Sequence, residues 1–239
     1  VNIIPAVSTY AVAKPGSSGS SATVNVYDGS DDKLIATITP FSGYQDVPTV
    51  AMGDVDGDGV YDLVVGSGKD HAPEIVIYSG SDGAGAFETE LVRFAAFDSS
   101  TNGGISVTAA SVDGRTSDNI IVGSGPGIAS EVKVFAYEDG AATLFSSFSP
   151  YADDTSGVSV ASGFVSFASG RNSIVTAPGP GSPAKIKVFD YWLMEPTNLQ
   201  MDETSVPLQL CSSSAGQPAK IAEFAPFGVD YTGGVSLAT

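Results

Sequence analysis

The sequence predicts an all-β protein assembled from four copies of one four-stranded unit, and three observations carry that reading. Short runs of Val, Ile, Phe and Tyr alternate with clusters of Gly, Ser, Asp and Pro, and no sustained period-3.6 pattern interrupts them. Four distinct strand registers each recur four times along the chain. The copies are evenly spaced, with 57 residues separating Val50 from Val107 and 53 separating Val107 from Val160.

The first strand of a unit is read from Gly104-Ile-Ser-Val107, Gly157-Val-Ser-Val160 and Gly234-Val-Ser-Leu237, with Pro48-Thr-Val50 as a looser copy. The second precedes a Gly-rich turn: Leu63–Val65 before Gly66-Ser-Gly68, Ile120–Val122 before Gly123–Gly127, Ile174–Thr176 before Ala177–Gly181, and more weakly Tyr10–Ala13 before Gly16. The third ends in an aromatic: Val24–Tyr27, Ile75–Tyr78, Val132–Phe135 and Ile186–Phe189. The fourth ends as Ile38–Phe41, Phe94–Phe97, Phe148–Tyr151 and Phe224–Phe227 before a polar turn.

Units of this length, each of four short antiparallel strands, are what a β-propeller blade requires. The chain enters at a second strand and leaves after a first strand. The expectation is therefore a single domain over 1–239, a four-bladed β-propeller closed by pairing of the C-terminal strand with the N-terminal blade. The expected blades are about 8–46 plus 233–239, 47–102, 103–155 and 156–232. An insertion at about 190–217 breaks the period and carries Trp192, Met194, Met201 and Cys211. It reads as an irregular loop against a blade edge, or as a protruding partner-binding loop, since Trp and Met favour interfaces.

Composition narrows the function classes. The 239 residues include 27 acidic and 10 basic side chains, a net charge of −17 that disfavours nucleic acid and anionic membrane surfaces. A single cysteine leaves no disulfide framework and no cysteine-based zinc site. No apolar run is long enough to span a membrane as a helix. The sequence begins at Val1 without a signal peptide and is expected to be a mature or trimmed form.

The strongest chemical signal is Asp54-Val-Asp56-Gly-Asp58-Gly-Val60-Tyr-Asp62. Carboxylates on alternate positions of one short loop repel each other, and a hard divalent cation is the simplest compensation. Gly57 and Gly59 permit a tight curl, and Val60 can offer its carbonyl oxygen. The spacing begins like an EF-hand, but the twelfth position is Val65 instead of a bidentate Glu, and a strand follows where a helix would be needed.

The stretch Asp54 to Gly68, together with the Gly-Ser-Gly-Pro-Gly127 turn and Val132-Lys-Val134-Phe135, resembles the FG-GAP (VCBS-type) repeat of integrin α-chain propellers and bacterial extracellular proteins. That resemblance implies one Ca2+ in the loop between the first two strands of a blade, held by Asp54, Asp56, Asp58, Val60 and Asp62. The corresponding positions of the next unit are Ser111, Asp113, Arg115 and Asn119, where Arg115 stands in a ligand's place, can substitute for the ion by pairing with Asp113, and no metal is expected. In the third unit, Gly163–Ser169 has no carboxylate.

Catalytic constellations are sparse. His71, the only histidine, is read as an exposed loop residue beside Asp70. No G-x-S-x-G elbow occurs in a strand–turn–helix setting. The Gly-rich turn lacks the following helix N-terminus that a phosphate site needs. Asp31-Asp32 and Asp153-Asp154 read as solvated turns.

These readings lead to a non-enzymatic, calcium-stabilised interaction module for adhesion, surface structure or complex assembly. Its expected location is extracellular, periplasmic or at the cell surface. The expected partners are a protein or glycan, or further copies in a homo-oligomer or larger assembly, with no nucleic acid and no membrane insertion. Two alternatives stand beside it. One is a glycan-binding lectin using Tyr44, Tyr151 and Tyr231. The other is an accessory subunit of an assembly or filament that docks through the Trp192 insertion.

Overall fold

The computed structural model describes residues 9–81, 87–165, 171–191 and 216–237. Trp192, Met194, Met201 and Cys211, and with them most of the insertion, lie outside the described residues. Among the described residues, fifteen strands form four antiparallel sheets. The first holds β1 (Thr9–Lys14), β2 (Thr23–Asp28) and β3 (Leu34–Ile38). The second holds β4 (Thr49–Gly53), β5 (Asp62–Gly66), β6 (Glu74–Tyr78) and β7 (Glu90–Ala95). The third holds β8 (Ile105–Ala110), β9 (Asn119–Ser124), β10 (Val132–Glu138) and β11 (Ala141–Phe148). The fourth holds β12 (Val158–Gly163), β13 (Ser173–Pro178), β14 (Ile186–Asp190) and β15 (Ala219–Phe224).

Apart from Gly234–Leu237, the strand registers read from the sequence fall on these ladders. In every sheet the third-register strand carries a bulge at its aromatic, at Val26/Tyr27, Ile77/Tyr78, Val134/Phe135 and Val188/Phe189. A bulge at one repeated place bends and twists each sheet alike. The Gly that opens the first register also has a common cause. Gly104, Gly157 and Gly234 have φ of 72°, 94° and 78°, a conformation side chains rarely adopt. A Cβ on Gly104 would also lie 2.8 Å from the Gly68 backbone.

Ring closure is not observed. The first sheet has three strands, and Gly234–Leu237 joins no ladder, so the outer edge of β1 is unpaired among the described residues. The four sheets are separate, and none is closed or curled into the radial arrangement expected of a propeller. The short segment Gly234–Leu237 offers few ladder bonds against the entropy of ordering it.

What joins the sheets is apolar packing. Val24, Val26 and Phe41 pack with Leu63, Val65, Val76 and Tyr78 between the first and second sheets. Val64, Ile75, Ile77 and Phe97 pack with Ile105, Ile120 and Phe135 between the second and third. Ile121, Val132, Val134 and Tyr151 pack with Val160, Ile174 and Phe189 between the third and fourth. In the second, third and fourth sheets the second and third strands are thus largely buried on both faces, which is why their sequences read as near-continuous apolar runs. β1 instead alternates half-buried and exposed positions.

Backbone clasps fix the loops at one end of each sheet. Gly16 N–H donates to Gln45, Asp70 to Asn102, Gly127 to Thr155 and Gly181 to Thr232, at 2.8–2.9 Å. Each clasp ties the Gly-rich turn to the segment that leaves the same sheet. These turns are therefore built for backbone pairing, which accounts for their Gly content without any ligand.

Candidate metal centre

The loop between β4 and β5 is folded by its own carboxylates. Asp54 accepts hydrogen bonds from the Gly57 and Gly59 N–H groups at 2.8 and 3.0 Å. Asp56 accepts from Asp58 N–H at 3.1 Å, and Asp58 from Val60 N–H at 2.8 Å. Gly57 and Gly59 take φ of 80° and 89°, so the curl needs both glycines. The result brings one carboxylate oxygen of each of Asp54, Asp56 and Asp58 within 4.8 Å of the others. Asp54 is half-buried and Asp58 exposed, so the cluster opens to solvent on one side. Burial and the neighbouring Asp58 and Asp54 charges push the Asp56 carboxyl above its usual range, opposed by its hydrogen bond from Asp58.

Asp62 stands apart from this cluster. It is fully buried at the start of β5, where Oδ2 accepts from Val55 and Asp56 N–H at 2.9 and 3.3 Å and Oδ1 from Gly80 N–H at 3.0 Å. Burial raises its carboxyl to about 6 despite those three donors.

The equivalent loop of the third sheet shows what this position needs in order to fold. There Asn119 Oδ1 accepts from Val112 and Asp113 N–H at 3.0 and 3.2 Å, the same two bonds made by Asp62 Oδ2. A neutral amide oxygen therefore suffices for these two bonds, and the Asp62 carboxylate adds a third, to Gly80, and a charge. The second loop also carries its own cation. Arg115, in register with Asp58, places Nε 3.3 Å from Asp113 Oδ2 and also pairs with Glu138. One loop thus balances its carboxylate internally, while the other gathers carboxylates with no cationic partner among the described residues.

This donor set fits a hard divalent cation. All the donors are oxygens, they are close together, and they belong to a loop stiffened by glycine turns and clasped to its neighbour through Asp118, which accepts from Asp54 N–H at 3.0 Å.

The other expected site residues fall differently. His71 is not an exposed loop residue. Its ring packs against Phe41 at 4.7 Å and Tyr44 at 4.0 Å, with Nδ1 2.7 Å from the Ala72 carbonyl and Nε2 4.0 Å from Glu74. Tyr44 itself is 41% exposed. Tyr151 is buried, with its hydroxyl 2.8 Å from both the Thr176 and Lys185 carbonyls, and presents no ring to solvent. Tyr231 is exposed and packs on Phe227 at 5.1 Å. A cavity of about 370 Å³ lies where Thr9, Val50, Val107, Val160 and Leu237 converge, and among the described residues no charged side chain lines it.

No family model and no curated protein sequence matches the chain. The resemblance to FG-GAP repeats is therefore withdrawn: the acidic loop is a short motif without the wider pattern of that family. Among solved structures, rhamnogalacturonan lyase YesW is similar over 74% of this chain and 41% of its own, with 14% identity and a TM-score of 0.45. The exotype rhamnogalacturonan lyase YesX is similar over 85% of this chain and 41% of its own, with 14% identity and a TM-score of 0.42. The chain thus spans less than half the length of either. Both are named as rhamnogalacturonan lyases, and the expectation of a non-enzymatic adhesion module is withdrawn. Likeness at this level transfers no reaction to the chain. No helix of the described residues is long and apolar enough to cross a membrane.

Proposed function

We propose that the chain is a calcium-binding β domain that recognises glycans outside the cytoplasm. In this reading Asp54, Asp56 and Asp58 hold the ion, and the Val60 carbonyl and a free lone pair of Asp62 complete its shell. The charge at Asp62, where Asn119 accepts the same two loop bonds without one, is what favours Asp62 as a ligand. Calcium sites of extracellular modules are loaded at about 0.1–1 mM, which suits an open, solvent-facing cluster.

One observation carries the glycan reading: the Tyr44 ring is 41% exposed yet braced edge-on by His71 at 4.0 Å. The surrounding loop is pinned by the Gly43 N–H bond to Ser21 Oγ at 2.8 Å. A rigid half-exposed ring is an apolar platform with a polar tip, suited to the C–H face of a sugar and already ordered before binding. The test is a glycan array probed in calcium with the wild-type chain and with Tyr44→Ala. Specific hits that weaken about tenfold or more in the variant, at unchanged melting temperature, are expected. An array without hits, or hits indifferent to the substitution, overturns the reading.

A further inference from the structure

The three contacts between sheets share a device that the fourth sheet carries only in half. Each of the first three sheets ends on an aromatic that the next sheet covers with a cation. Arg93 lies 5.8 Å from the Phe41 ring centre, Lys133 lies 4.7 Å from that of Phe97, and Lys187 lies 4.7 Å from that of Tyr151. The same cation also donates to the carbonyl one residue before the aromatic. Arg93 reaches Pro40 at 3.3 Å, Lys133 reaches Ala96 at 3.0 Å and Lys187 reaches Pro150 at 2.7 Å. A second ring pair repeats beside it, Phe94 on Phe135 at 4.9 Å and Phe148 on Phe189 at 4.7 Å. The covered aromatics Phe41, Phe97 and Tyr151 are 6%, 7% and 8% exposed.

Phe227 holds the same place in the fourth sheet and is 61% exposed. Phe224, the counterpart of Phe94 and Phe148, is exposed as well, and so are Val229 and Tyr231. We propose that this face, Phe224 to Tyr231, is a docking surface for a β sheet of another protein that presents a Lys or Arg over Phe227. The cation stacks on the ring and donates to the Pro226 carbonyl, as Lys187 does on Tyr151 and Pro150. Charge complementarity selects this occupant over a second copy of the chain. The chain carries a net charge of −17, and its first sheet has Asn25 in the register of Lys133 and Lys187, and Thr37 in that of Arg93. Asn25 and Thr37 are moreover bonded to each other at 3.1 Å. A second copy offering its first sheet therefore lacks the cation that the other three contacts use.

The probe is a backbone-cyclised peptide of residues 131–148, the hairpin that covers Phe97, fluorescently labelled and titrated with the intact chain. Saturable binding is expected, weakened about tenfold by Phe227→Ala in the chain and by Lys133→Gln in the peptide. Phe227 is exposed, so the chain variant is expected to keep the wild-type melting temperature. The proposal is overturned if neither peptide binds, or if affinity is the same for Phe227→Ala or for the lysine-free peptide. It is equally overturned if sedimentation shows self-association of the wild-type chain that Phe227→Ala abolishes, because the occupant is then a second copy. Glycan binding through Tyr44 is independent of every one of these outcomes.

Discussion

Chelating calcium is expected to lower the melting temperature of the chain by roughly 5–10 °C, and Asp62→Asn is expected to abolish most of that response. Calcium at about 10 mM, about a hundred times a dissociation constant of about 0.1 mM, stabilises the folded state by about 2.7 kcal/mol. For a domain of this size each kcal/mol corresponds to about 2–4 °C. The Asp62 variant separates metal binding from folding. Asn119 shows that an amide oxygen can accept the two backbone N–H bonds that hold such a loop. In Asp62→Asn the amide nitrogen faces the Gly80 N–H, whose bond to Oδ1 is lost at a cost of about 1 kcal/mol. Removal of a carboxylate that burial disfavours offsets that loss. The variant in EDTA is thus expected to melt close to the wild type in EDTA, and to gain little when calcium is restored. A wild-type melting temperature indifferent to both EDTA and millimolar calcium sinks the assignment. So does an Asp62→Asn chain that responds to calcium as the wild type does.

The residues behind this prediction were readable in the sequence to different degrees. Alternate carboxylates with intervening glycines announce a curled acidic loop, because backbone conformation and charge repulsion act within nine residues of chain. Arg115 as an internal cation was legible for the same reason, being two residues from its partner Asp113. The strands were legible because burial on both faces leaves nearly continuous apolar runs. Closure was not, because it depends on whether one short terminal segment gains enough from pairing, and no local pattern encodes that balance. His71 was misread for a related reason: Phe41 and Tyr44, which bury its ring, come from a segment near the end of the first sheet. The cation latch was half visible. Lys133 and Lys187 share the register Val-Lys-Val-Phe and Ile-Lys-Val-Phe, whereas Arg93 serves the same role from the neighbouring strand, opposite Val76. A side chain reaching across from the adjacent strand keeps the function while erasing the sequence repeat.

Tyr151→Ala is expected to destabilise the chain by about 3–5 kcal/mol, the range for removing a large buried ring. The ring is buried between the third and fourth sheets among Val132, Val158 and Ile174, with Lys187 stacked on its face. Its hydroxyl lies 2.8 Å from the Thr176 and Lys185 carbonyls, and burial holds it well above the usual phenol range, so it stays protonated and donating. Tyr151→Phe removes the hydroxyl and leaves the ring, so a loss of about 1–3 kcal/mol is expected, that of buried acceptors left without their donor. Lys187→Met keeps apolar stem volume but removes the cation and its bond to Pro150, with a cost of about 1–2 kcal/mol. Chemical denaturation of the three variants tests the ordering Ala, then Phe, with Met comparable to Phe. If Tyr151→Phe costs as much as Tyr151→Ala, packing is not what holds the ring, and the latch is misassigned. The same substitution at Phe227 provides the internal control. Phe227 occupies the same register as Tyr151 but is uncovered, so Phe227→Ala is expected to change stability by no more than about 0.5 kcal/mol, as at an ordinary surface position. The difference between the two sites measures what a covering sheet contributes, and hence what a docked partner would add at Phe227.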